Sequence, residues 1–180
     1  MQIYLRGWAK ELDNAAILSV DYSLSPENKF PSAIQDCLHA YLWLISEKSQ
    51  VLQVLGFHPK RILLCGDSAG GALTLNLAIV LSQIKKLNSN LKMPFAILAI
   101  YPTVNFTLQQ SPSRLLTLID SIMSSGVLLT CLGAYVLDEE EVKITESQQF
   151  KGNSLMSLLD LKWLSKTFGI LKELLGALIY

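Results

Sequence analysis

A chain of 180 residues with 15 Lys and Arg against 15 Asp and Glu has a formal net charge of zero, which argues against electrostatic capture of nucleic acid. The length fits one domain, and 51% apolar against 17% charged residues supplies material for a large core. No apolar run approaches the ~20 residues of a membrane span, and the opening Met1-Gln2-Ile3-Tyr4-Leu5-Arg6 is no secretory signal, lacking a charged n-region and an apolar h-region.

Taken in chain order, Tyr4, Leu5, Trp8, Ala9 and Leu12 recur at helical spacing, so residues 3–12 are expected to form an amphipathic helix. Asp13-Asn14 is a turn, and the apolar run Ala15–Val20 fits a buried parallel strand. Tyr22–Pro31 is loop. Ser32 with Gln35 three residues later resembles a capping box, and Ala33, Ile34, Cys37, Leu38, Tyr41, Leu42 and Ile45 then form one apolar helix face. Gly56 and Pro59 punctuate the next connection. Arg61–Cys65 is the second strand, Ala69 to about Ile84 a helix, Lys85–Lys92 a polar loop and Phe95–Tyr101 the third strand. Strands alternating with helices make parallel βαβ units, so the fold class is α/β, a doubly wound parallel sheet with flanking helices and its active edge at the carboxyl ends of the strands. Ser113–Thr130 is expected to be helical with Ser113 as cap. Asp138-Glu139-Glu140-Glu141 reads as a solvated turn, and the leucine-rich residues 154–180 as an amphipathic helix that packs on the sheet or lies on a lipid surface.

Three cysteines, Cys37, Cys65 and Cys131, are scattered and odd in number, which gives neither a disulfide framework nor a metal spacing; no metal or cofactor is expected. Cys37 on an apolar helix face and Cys65 at the end of a core strand read as buried thiols, which fits a reducing, intracellular compartment.

One stretch carries chemistry. Gly66-Asp67-Ser68-Ala69-Gly70-Gly71 follows the second strand and opens a helix, and a serine flanked by glycines two residues on either side in that context resembles the nucleophile elbow of α/β-hydrolases. The turn is so tight that strand and helix backbones nearly touch, so side chains at Gly66 and Gly70 would clash. Ser68 is forced into an unfavourable backbone region, its Oγ projects clear of the sheet, and the Ala69 N–H points where an oxyanion would form.

Asp21-Tyr22-Ser23-Leu24-Ser25-Pro26-Glu27, then Phe30-Pro31, Ala33 and Asp36, followed by Gly66–Gly71, is similar to the hormone-sensitive lipase family of serine esterases. Tyr4–Leu12, Tyr101-Pro102 and Ser111–Asp120 resemble the animal members more than the bacterial ones, and the likeness runs from about residue 3 to about residue 136. Ser25 stands where the family usually has alanine. The resemblance implies a partial α/β-hydrolase core over 1–136, with 137–180 as a divergent acidic turn and amphipathic tail. It implies hydrolysis of acylglycerol and cholesteryl esters in the cytoplasm, at a lipid droplet or membrane surface. Ser68 would be the nucleophile, Ala69 N–H an oxyanion donor, and the Asp21–Glu27 block structural.

The family's His-Gly-Gly-Gly motif, which supplies further oxyanion donors, belongs upstream of Met1, and its triad order is Ser, then Asp or Glu, then His. Both histidines of this chain, His39 and His58, precede Ser68. His58 lies before a strand that spans about 16 Å at ~3.3 Å per residue, which puts it at the opposite edge from Ser68. Asp120, Asp138 and Asp160 have no histidine to orient, and Asp67 is expected to be structural. A serine without a base is a poor nucleophile at neutral pH. The expectation is therefore a fragment of a hydrolase, inactive or nearly so alone. The alternative is a non-catalytic lipid- or partner-binding homologue. With three strands of a larger sheet, exposed apolar faces and unpaired edges are expected to drive association with another chain.

Overall fold

A computed structural model of the chain describes residues 2–46, 50–104, 112, 116, 119, 120 and 122–136. Among the described residues the regular elements, in order, are α1 Gln2–Glu11, α2 Ser32–Ile45, α3 Val51–Leu55, β1 Leu63–Asp67, α4 Ala69–Leu87, β2 Ala96–Ile100 and α5 Ser125–Val136. β1 and β2 pair in parallel, Leu63 opposite Ala96 through Asp67 opposite Ile100, and the crossover between them is α4. This βαβ unit, with α2 packed on α4, is the parallel sheet with flanking helices expected from the alternation, in partial form.

The core is built by two helix faces against one face of the sheet. α2 contributes Ala33, Ile34, Leu38 and Tyr41, and α4 contributes Leu73, Leu77, Val80, Leu81 and Ile84. Phe30, Ile62 and Leu91 close the cluster from the connections, with Cys37, Leu42, Ile45 and Leu64 partly buried against it. The 3.6-residue repeat of α2 thus reaches the interior as its sequence pattern requires. The Tyr41 hydroxyl donates to the Lys92 carbonyl at 2.8 Å, and burial pushes this phenol up to about 12. Gly56 ends α3 with φ +78, a left-handed cap that glycine adopts without cost.

The structure differs from the sequence reading in several places. Ala15–Val20 forms no strand: among the described residues nothing pairs with it, and 15–19 are exposed. An apolar run becomes a strand only beside a partner that takes up its N–H and C=O groups. β1 begins and ends two residues later than expected, because Gly66 and Asp67 still pair with Ala99 and Ile100. Ser32 is not a capping residue. Pro31 holds the N-cap position, its carbonyl accepting from the Ile34 and Gln35 amides, so the Ser32 hydroxyl lies inside the first turn with no cap bond to make. Helix α4 continues to Leu87, three residues into the expected loop.

The expected helix 113–130 is interrupted. Asp120 Oδ1 accepts from the Ile122 and Met123 amides at 2.8 and 2.9 Å, and the Ser124 carbonyl accepts from Leu128 N–H to start α5. Short polar side chains that satisfy nearby amides compete with a continuous helix in this way. These two amide bonds, Met123 first, hold the Asp120 carboxyl below its ordinary range. Ser113, the acidic run 138–141 and residues 154–180 lie outside the described residues.

Cys65 is exposed, against the expectation of a buried thiol. Strand residues alternate between faces. Leu64 faces the helices, so Leu63 and Cys65, with Leu98 beside Cys65 in the register, face the other way, where Leu63 is 55% and Leu98 47% exposed. Cys37 is half-buried on α2, and desolvation, with Asp36 second, pushes its thiol up to about 11.

Candidate active site

β1 ends at Asp67 and α4 starts at Ala69, so Ser68 alone turns the chain from strand into helix. It does so at φ +50, ψ −115, a region that L-residues avoid and that costs roughly 1–3 kcal/mol. Two bonds hold it. The Ser68 amide donates to the Ile100 carbonyl at 3.0 Å, extending the sheet pairing one residue past β1, and the Ser68 carbonyl accepts from Ala72 N–H at 3.1 Å in the first turn of α4. Among the described residues Ser68 Oγ has no hydrogen-bond partner, and the residue is half-buried. The Ala69, Gly70 and Gly71 amides open a 19-residue helix and have no intrahelical acceptor. An anion developing next to Ser68 would meet these donors and the positive end of the helix dipole.

The glycines divide the steric work differently from the sequence reading. A Cβ on Gly66 would overlap the Gly70 carbonyl and come within 2.9 Å of Gly71 N, so the strand can approach the helix only because residue 66 has no side chain. At Gly70 an added Cβ would meet nothing within 4 Å; its backbone is the obstacle for Gly66, and its own side-chain direction is open among the described residues. The second tight position is Gly71, where a Cβ would lie 3.1 Å from the Gly66 carbonyl oxygen, 3.1 Å from Pro102 Cβ and 3.2 Å from the Ile100 carbonyl oxygen. The third glycine of the motif, directly after Gly70, was the signal for it.

Behind the elbow, the Tyr101 hydroxyl donates to Asp67 Oδ2 at 3.2 Å. This bond, then the Asp67 charge, raises the Tyr101 phenol above its ordinary value. Tyr22 is half-buried, and burial, then Cys37 and Asp67, raises its phenol. Tyr22 is thus close enough to Asp67 to feel its charge, and it also packs against the helix-side core. Asp36 on α2 anchors the Asp21–Glu27 block: its Oδ2 accepts from Ser23 N–H at 2.8 Å, and the Ser23 hydroxyl and amide hold the carboxyl below its ordinary range. Tyr135 of α5 packs edge-on against Phe30 with ring centroids 5.8 Å apart, its carbonyl accepts from Phe30 N–H at 2.8 Å, and burial pushes its phenol up to about 12.

His39 and His58 are exposed, on α2 and in the connection before β1, and neither joins the elbow. Asp120 caps its own turn and is exposed; Asp138 and Asp160 lie outside the described residues. Among the described residues no group of three or more His, Cys, Asp or Glu side chains could hold a metal, and no helix is long and apolar enough to cross a membrane. A shallow cleft between α1 and the 15–20 stretch is lined by Leu5, Arg6, Ala9, Ile17 and Ser19 and contains no nucleophile–base pair.

A family model described as alpha/beta hydrolase fold matches residues 3–163. The mouse hormone-sensitive lipase is 39% identical over 149 residues, 83% of this chain and 18% of that protein. The rat arylacetamide deacetylase is 36% identical over 110 residues, 61% of this chain and 26% of that protein. Among solved structures, a fungal esterase from Rhizomucor miehei superposes with a TM-score of 0.52 at 28% identity, covering 67% of this chain and 35% of that one. The chain thus spans less than a fifth of the length of the hormone-sensitive lipases it matches. By the extent of the family match and the strand-to-helix corner at Ser68, the chain belongs to the alpha/beta hydrolase fold family, with similarity to animal hormone-sensitive lipases over most of its length.

Proposed function

We propose that this chain is the nucleophile-bearing part of a hormone-sensitive-lipase-like serine carboxylic ester hydrolase. The observation that carries the reading is Ser68 at φ +50 between the end of β1 and the start of α4, with the Ala69 amide beside it. In the reaction, Ser68 Oγ gives its proton to a base of the whole enzyme and attacks the ester carbonyl carbon, and the leaving alkoxide takes that proton and departs as the alcohol. The oxyanion draws a hydrogen bond from Ala69 N–H, and water then releases the acid from the acyl-serine. Gly66 permits the close strand–helix approach that presents the hydroxyl, and Gly70 supplies the backbone it packs on. The substrate class is an acyl ester lipid, of acylglycerol or cholesteryl ester type, met in the cytoplasm at a lipid droplet or membrane surface. Residues 1–136 are the hydrolase core and 137–180 a separate acidic turn and amphipathic tail in this reading. The open sheet face and its edges would take a second polypeptide.

Full turnover needs a base. No histidine follows Ser68 in these 180 residues, and His39 and His58 are exposed elsewhere. The 18% share of the mouse lipase supports a chain that is one portion of such an enzyme. The exposed apolar Leu63 and Leu98 favour a second reading, a non-catalytic homologue that binds lipid or a partner. Labelling with an alkyl fluorophosphonate separates them. In the first reading Ser68 is phosphonylated at least ~10-fold faster than free serine peptides, from strain and oxyanion donors alone, and S68A is unlabelled. Labelling of the chain no faster than S68A, together with retention of a radiolabelled acyl ester, would support the binder instead.

A further inference from the structure

Ser68 is not the only strained residue at this edge of the sheet. Tyr101, one residue past β2 and across from the elbow, has φ +36, again in a region that a residue with a bulky side chain avoids. Such outliers persist only where surrounding contacts over-determine them. Three consecutive residues lie against three positions of the elbow. The Ile100 carbonyl accepts the Ser68 amide at 3.0 Å, the Tyr101 hydroxyl reaches Asp67 Oδ2 at 3.2 Å, and Pro102 Cβ stands 3.1 Å from where a Gly71 Cβ would be. Pro102 also fixes its own φ and bars Tyr101 from the helical region. The hydroxyl can turn back to Asp67 because Tyr101 leaves the extended conformation at this point.

We propose that Tyr101 is a positioning residue, the latch of a clasp formed by Ile100–Pro102 that holds Asp67 and thereby keeps Ser68 in its strained backbone geometry. This rests on Ser68 being the nucleophile. Without the latch, Asp67 has no side-chain partner among the described residues, and the turn that Ser68 occupies is held by backbone bonds alone. The titratable groups close enough to interact electrostatically with this pair are Tyr4 of α1 with Tyr101, and Tyr22 and Cys65 with Asp67. Tyr101 is 70% exposed, so removing its hydroxyl takes nothing from the core.

The test uses the full 180-residue chain with Y101F, D67N and the double variant. Tyr101→Phe is expected to slow fluorophosphonate labelling of Ser68 about 10-fold, Asp67→Asn about 3-fold because the amide oxygen still accepts, and the double variant no more than Y101F, the non-additivity of one shared contact. Thermal midpoints should stay within about 2 °C, which separates positioning from general support. A wild-type minus Y101F difference titration at 295 nm should show the Tyr101 phenol ionising above ~10, and the same difference in a D67N background should return to ~10. Labelling of Y101F at the wild-type rate, multiplying losses in the double variant, or a phenol already at ~10 in the wild type would each overturn the latch. If the wild type itself labels no faster than S68A, the nucleophile reading fails. Amide exchange of Ser68 then decides the clasp: about 5-fold faster exchange in Y101F supports it, and equal exchange removes it.

Discussion

The two faces of β1 are built from the same kind of residue and have opposite fates, while β2 stays open on both, Ile97 beside Leu64 being 41% exposed. Leu64 packs on the helices, where Leu81 and Ile84 are 0% and 1% exposed, while Leu63 and Leu98 on the other face are 55% and 47% exposed. Alternation along a strand decides which residues share a face, but cover decides whether that face is core. α2 and α4 supply cover on one side, and no described element supplies it on the other. Apolar area contributes about 25 cal/mol per Å² only where water is removed, so the stability of this unit is concentrated on the helix side.

The sharpest break in that comparison is at the elbow, where strand and helix meet. Gly66→Ala places a Cβ against backbone that cannot move without shifting α4, whereas Gly70→Ala meets open space. G66A is expected to cost about 4 kcal/mol or prevent folding, and G70A less than about 1 kcal/mol, since alanine also favours the helix. Urea midpoints of the two variants check the difference. Equal losses would mean that the close approach seen here is not formed in solution.

Next in size is the contrast of leucines. Leu81→Ala empties a fully buried position on α4 and should cost about 2–5 kcal/mol. Leu98→Ala on the open face should cost under ~0.5 kcal/mol and raise solubility. A large loss at Leu98 would show that the open face is covered in solution, and sedimentation velocity would tell whether a second copy covers it.

These contrasts also show what could be read from residues alone. The face of α2 was legible because seven apolar positions repeat at helical spacing, and four of them are buried and three packed beside them against a single partner helix. The elbow was legible because its chemistry is local: Gly, Ser and the flanking apolar runs specify a corner without distant help. Ala15–Val20 was misread because a strand is a property of a pair. Burial of Cys65 was misread because it depends on what lies across the sheet, several elements away. The division of labour between Gly70 and Gly71 depends on where Pro102 comes to rest, thirty residues downstream, and the helix expected over 113–130 fails because Asp120 and Ser124 satisfy nearby amides first.

Thiol chemistry compares the same two sides. Cys37 sits on the helix side, with its thiol pushed up to about 11 by burial, and Cys65 on the open side. At pH 8 the thiolate fraction of Cys37 is on the order of 10⁻³, and access to it is restricted as well. Reaction with a disulfide reagent should give fast phases for Cys65 and Cys131 and a phase at least ~30-fold slower for Cys37, read by mass spectrometry of quenched samples. Simultaneous loss of all three thiols would mean that α2 detaches from α4 on the reaction timescale.

The smallest expected effect lies where α2 holds the Asp21–Glu27 block. Asp36→Ala removes an acceptor from the half-buried Ser23 amide and should cost about 1 kcal/mol, whereas Asp36→Asn retains an oxygen and should cost less. The pH dependence has a defined sign. Asp36 is held below its ordinary value by the Ser23 hydroxyl and amide, so the folded state binds its proton less tightly than the unfolded chain. Its contribution is fully present above the unfolded value of about 3.9 and is lost as pH falls through the lower folded value. Wild type minus D36N stability should therefore be flat from pH 7 to about 5 and shrink towards pH 3. A difference that grew on acidification would mean that the carboxylate is repelled rather than bound at Ser23. Asp67 takes its side-chain hydrogen bond from Tyr101 and not from this block, so the same variant should leave the rate of Ser68 labelling within about 2-fold of wild type at pH 7, where the loop contributes stability and the Ile100–Pro102 segment contributes position.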